Sequence, residues 1–190
     1  MRFTQLEIQD AWLIELEPVG DTRGSFARTF CANELAAHGL AVEFPQHSVS
    51  RNSLKGTLRG MHFQAPPHAE AKLVSCRQGA IFDVCLDLRP GSPTFLRWCG
   101  FELNAENGRQ LYLPEGCAHG FQTLTNDTEI TYRISEYYHP ASAGGYRYDD
   151  PAFHISWPLP PSVMSEKDKS WPDFPLKREQ AARSSSTSAP

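Results

Sequence analysis

The chain has 190 residues and a formal net charge of −4. That length suits one domain with a well-filled core and is short for two. The slight acidity gives no basic field for nucleic acid, although an anionic small molecule needs only a few local cations. Residues 1–7 lack the apolar run of a secretion signal, and no stretch approaches the ~18 apolar residues of a membrane span. These features predict a cytoplasmic protein with no membrane partner. The five cysteines, Cys31, Cys76, Cys85, Cys99 and Cys117, are odd in number and form no C-x-x-C pair. Reduced thiols are the expected state.

Strand-like runs are expected, in chain order, over residues 11–16, 25–30, 56–64, 72–77, 80–88, 95–103, 109–113, 120–124 and 129–135. Turn chemistry separates them: Gly20-Asp21, Ala65-Pro66-Pro67, Pro90-Gly91-Ser92-Pro93, Asn107-Gly108, Pro114-Glu115-Gly116 and Asn126-Asp127. Many short strands at this spacing predict an all-β sandwich or barrel. Helical signal is thin. Residues 33–38 can make a turn or two before Gly39, and residues 165–169 another, with Ser165 as N-cap. A single domain is expected over residues 1–183. Residues 184–190, Ser-rich and apolar-poor, are expected to form a disordered tail.

The chemistry-bearing residues are scattered over these strands. His62 lies in Leu58-Arg59-Gly60-Met61-His62-Phe63-Gln64, and Lys72 opens the apolar run Leu73-Val74. Strict alternation sets His62 with Gln64 and turns Arg59 to the opposite face. Strand twist, a bulge at Gly60 or a role across a dimer contact would relax that. Tyr132 alternates with Ile130 and Ile134, which suits core packing as well as a site. Asp83 and Asp87 interrupt an apolar run, where each carboxylate needs a His or Arg partner. The bland reading of Arg23, beside Asp21 and Gly24, is a turn with a local ion pair.

The run from Gly108 through Pro114 and Gly116 to His119 resembles the second motif of the cupin jelly-roll superfamily. A tight turn at Pro114–Gly116 would aim His119 into the barrel. Many cupins bind metal with this histidine and a His-x-His pair. Here His62, His68 and Glu70 offer no such pair, so no metal is expected.

Together, several blocks resemble the dTDP-4-dehydrorhamnose 3,5-epimerase family over residues 3–175. They are Asp21-Thr22-Arg23-Gly24, the Leu58–Gln64 block, Lys72-Leu73-Val74, Asp87-Leu88-Arg89 and Ser92-Pro93-Thr94-Phe95. Further on come Pro114-Glu115-Gly116, Ala118-His119-Gly120-Phe121, Asp149-Asp150-Pro151 and Ile155-Ser156-Trp157-Pro158. The resemblance implies a cofactor-free, homodimeric cupin enzyme acting on a nucleotide-linked 4-keto-6-deoxyhexose. It implies His62 as the base, Asp168 as its paired carboxylate, Tyr132 as the acid across the ring and Lys72 as the cation near the enolate oxygen. It implies substrate contacts from Arg23, Phe26, Arg28, Gln46, Ser48, Arg59, His119 and Tyr138. Arg28 stands where the family usually has Glu, and Ser48 where it tends to have Asn, both on the expected nucleotide side. A 3-epimerase of the same substrate class, a metal-dependent cupin enzyme and a non-catalytic nucleotide-sugar binder are the alternatives.

Overall fold

The computed structural model describes residues 1–175; the expected tail, residues 184–190, lies outside them. Thirteen strands and two short helices are present among these residues. In order they are β1 (Arg2–Gln5), β2 (Trp12–Glu15), β3 (Val19–Asp21), β4 (Gly24–Phe26), α1 (Ala32–Ala37) and β5 (Gln46–Asn52). Then come β6 (Leu58–Gln64), β7 (Lys72–Gln78), β8 (Ala80–Asp87), β9 (Trp98–Asn104), β10 (Arg109–Leu113) and β11 (Cys117–Thr123). The last are β12 (Thr128–Ile134), β13 (Ala143–Gly145) and α2 (Glu166–Lys169). One sheet has six strands in the order β1-β2-β10-β7-β12-β5 and the other five in the order β13-β6-β11-β8-β9. The short hairpin β3–β4 stands apart from both. This is the expected all-β, cupin-type sandwich.

Period-two alternation explains the layering. Leu13, Val74, Cys76, Leu111 and Ile130 of the six-stranded sheet pack against Ile81, Cys85, Leu103 and Phe121 of the other, forming the central core. Their neighbours face outward. Ile14, Leu73 and Tyr112 pack under Leu35 of α1 and Leu40, while Met61, Val84 and Leu86 pack under Phe153, Phe174 and Trp157. The central strands of each sheet are therefore buried on both faces. The same parity turns Lys72 inward with Val74, and Tyr132 inward with Ile130.

Several boundaries differ from expectation. The run expected over 25–30 is a strand only through Phe26, and β1, β3, β5 and β13 carry too little apolar alternation to be found from sequence. All five cysteines are free thiols. Among the described residues, no helix is long and apolar enough to cross a membrane.

Candidate active site

Strand β6 builds one wall. Met61 and Phe63 join the outer aromatic layer, so His62 falls on the inner face. His119 of β11 pairs with His62, but Phe121 pairs with Arg59. Between these pairs β6 carries one residue more than β11, a bulge at Gly60–Met61 that returns Arg59 to the face of His62. Gly60 has φ 141°, and a Cβ there would lie 2.6 Å from the Cα of Gly120. Only glycine fits this crossing.

The inner faces enclose a cavity of about 570 Å³. Arg59, His62 and His119 line it from the five-stranded sheet; Lys72 and Tyr132 line it from the six-stranded one. Edge strand β5 adds Gln46 and Ser48, the latter directly opposite Tyr132, and Tyr138 stands at the mouth. Eight of the residues expected from sequence thus share one cavity. A second hollow of about 620 Å³, lined by Arg147, Tyr148, Asp149 and Lys169, contains no imidazole. Its cations are already paired, Arg147 with Asp149 and Lys169 with Glu166.

His62 is held from behind. Its Nε2 lies 2.6 Å from Oδ1 of the buried Asp168, which α2 presents to it. Ser165 caps α2 by accepting from the Asp168 amide at 3.0 Å, as the sequence suggested, and Trp171 Nε1 donates to Asp168 Oδ1 at 3.3 Å. Burial acts to raise the Asp168 pKa, but the hydrogen bond and charge of His62, with Trp171 and Ser165, outweigh it and hold it below the usual value. An ionised carboxylate only accepts, so Nε2 carries the proton and Nδ1 is left as the basic atom.

Tyr132 is the opposite case. Burial pushes its phenol well above the ordinary value, and Asp83 adds to this while Arg59 opposes it. The phenol therefore keeps its proton. His119 stands edge-on to Tyr132, ring centroids 5.7 Å apart, and its Nε2 lies 2.7 Å from Asp83 Oδ1. Burial raises the Asp83 pKa, against the pull of His119 and Lys72. Asp87, the other interrupting carboxylate, pairs with Arg89 at 2.9 Å. Lys72 Nζ lies 2.9 Å from Glu70, both nearly enclosed, and Arg59 Nε donates to Asn52 Oδ1 at 2.8 Å.

Arg23, Phe26 and Arg28 are not brought to this cavity within one chain. Arg23 makes the local ion pair with Asp21, and Arg28 pairs with Glu34 at 2.8 Å. The Arg28 departure therefore lies off the cavity, whereas Ser48 lines it. Sequence reasoning missed Asn52, Glu70 and Trp171 as supports. Glu70 had a signal, two residues before Lys72 on a strand path; Asn52 and Trp171 contact the site only through the fold.

Comparison with known proteins places the chain among carbohydrate epimerases, a class of isomerase. Residues 5–175 match the sequence profile of dTDP-4-dehydrorhamnose 3,5-epimerases, and the chain belongs to that family. It is 43% identical over 175 residues to the dTDP-4-dehydrorhamnose 3,5-epimerase of Sinorhizobium fredii, covering 92% of this chain and 90% of that one. The crystal structure of the enzyme from Elizabethkingia anophelis superposes with TM-score 0.89 at 37% identity, over 93% of this chain and 98% of that one. The Legionella pneumophila dTDP-6-deoxy-D-glucose-3,5-epimerase, solved in complex with dTDP-4-keto-L-rhamnose, superposes with TM-score 0.85 at 39% identity, over 90% and 92%.

Proposed function

We propose that this chain epimerises dTDP-4-dehydro-6-deoxyglucose at C3 and C5, without a cofactor. The observation that carries the reading is that His62 and Tyr132, on facing sheets, line one cavity with Lys72. The 4-keto group acidifies the C–H bonds beside it. His62 Nδ1 takes the proton, and the bond's electrons move onto the keto oxygen as an enolate. Asp168 orients the ring and stabilises the imidazolium. Lys72 meets the charge that appears only along the reaction, which lowers the barrier selectively. The protonated Tyr132 returns hydrogen to the same carbon from the other face, so the centre inverts. Arg59, His119, Gln46, Ser48 and Tyr138 hold the nucleotide sugar. The complex of the Legionella relative supports this ligand class.

Incubation with the substrate in heavy water, followed by mass analysis, tests the reading. Two exchanged carbon positions are expected. A single exchanged position replaces the reading with that of a 3-epimerase. His62→Asn should abolish exchange in a folded protein, and near-normal exchange in that variant removes His62 as the base.

The functional unit we infer is a homodimer. Among the described residues hairpin β3–β4 pairs with no other strand, and its Val19 and Phe26 are 75% and 80% exposed. Strand β5, which lines the cavity, has a free edge among the described residues and an exposed Val49. A second copy covering that edge, with its hairpin carrying Arg23, Phe26 and Arg28 towards the cavity, satisfies both features. A cytoplasmic location accords with five free thiols, three of them buried.

A further inference from the structure

Three side chains with no part in the epimerisation converge near the mouth of the cavity. His68 belongs to the connection between β6 and β7; Glu136 and His139 follow β12. The two imidazoles stack with centroids 3.4 Å apart and planes 12° from parallel. Glu136 oxygens lie 3.9 Å from Nδ1 of His68 and 3.8 Å from Nε2 of His139. One ligand atom from each residue lies within 4.8 Å of the other two, and no other such group of histidine, cysteine and carboxylate side chains occurs among the described residues.

The backbone beneath them is held by a single buried amide. Gln64 Nε2 donates to the carbonyls of His68 and Tyr137, each at 3.1 Å, and Gln64 Oε1 accepts from the His139 amide at 2.6 Å. Both connections are thus fixed to one side chain of β6, while the three side chains above remain about a third exposed and open to solvent. Two imidazoles and one carboxylate form the donor set of zinc-class ions, whereas magnesium and calcium take oxygen ligands. Tetrahedral bonds of ~2.0–2.1 Å separate ligand atoms by roughly 3.3 Å, and imidazole lone pairs lie in the ring planes, so binding has to unstack the two rings and tilt both towards a common point beside Glu136.

We propose that His68, Glu136 and His139 bind a divalent transition-metal ion of the zinc class, with water completing the coordination. Such an ion fastens the β6–β7 connection to the segment carrying Tyr138, which lines the cavity mouth. Its role is that of a clamp, and the metal takes no part in proton transfer.

The test is calorimetric titration of tag-free, chelator-treated full-length protein with Zn²⁺. One ion per chain is expected in the wild type. His62→Asn should bind equally well, which separates this site from the imidazoles of the cavity. His68→Ala and His139→Ala should each weaken binding by more than the roughly 10–100-fold that loss of a supporting partner costs. Cobalt-loaded wild type should show a visible absorption band that His139→Ala lacks. Thermal melts of the metal-free proteins check that each variant is folded. Absence of binding, wild-type affinity in both histidine variants, or loss of binding in His62→Asn alone overturns the proposal.

Discussion

Asp168 decides which nitrogen of His62 is free to accept a proton. Its carboxylate takes the Nε2 hydrogen at 2.6 Å, so the lone pair is left on Nδ1. Asp168→Asn offers an amide that neither fixes this tautomer nor balances an imidazolium. It should lower kcat by roughly 10²–10⁴-fold with KM little changed. Steady-state kinetics check this, and a large rise in KM at unchanged kcat would show that Asp168 serves binding instead. The roles expected of His62, Lys72, Tyr132 and Asp168 came from the family resemblance, and the fold brings the first three to one cavity with Asp168 against His62. The supports of these residues were not legible. Trp171 lies three residues from Asp168 and Asn52 seven from Arg59, but both hydrogen bonds depend on side-chain directions that only the folded turn and strand geometry set, and no local pattern records these.

Strand β6 shows how one inserted residue decides a site. Alternation alone placed Arg59 opposite His62, and only the register against β11 reveals the bulge that unites them. Gly60→Ala puts a methyl group 2.6 Å from the Gly120 backbone at a φ of 141°. The cost should be about 2–5 kcal/mol, measured by denaturant unfolding. A variant as stable as wild type would mean that the two strands can separate freely at this point. The heptapeptide of β5, Gln-His-Ser-Val-Ser-Arg-Asn, was missed because its inward residues Gln46, Ser48 and Ser50 are polar and line the cavity, so no apolar alternation marks it. The end of β8 carries a separate prediction. Burial acts to raise the pKa of Asp87, but hydrogen bonds from Arg89, Ser92 and Thr94 outweigh it and hold it at about 2. The folded value lies below that of an unfolded aspartate, so the stabilisation is complete above pH ~4 and is lost as pH falls towards 2. It amounts to about 2 kcal/mol, and Asp87→Asn should remove that part of the acid dependence in melts recorded between these limits.

At the scale of the whole molecule, an all-β sandwich or barrel was legible from the recurring runs and turns, but the division into two sheets and their strand order was not, because pairing between strands leaves no local pattern. Nor was the destination of hairpin β3–β4, since a single chain gives it no sheet to join. If it completes the partner's cavity, inactive His62→Asn and Arg23→Ala proteins should complement each other. Each hybrid dimer then holds one intact cavity, and a mixture refolded together should reach about a quarter of wild-type activity. No gain on mixing would assign the hairpin to its own subunit or to no site. The pairing of His62 with Asp168 spans 106 residues, from the sixth strand to the last helix. During synthesis the barrel's inner faces can therefore close well before His62 acquires its carboxylate partner. A nascent chain halted before α2 would hold a nearly complete cavity with an unoriented imidazole, and epimerising power should be among the last properties to emerge at the ribosome.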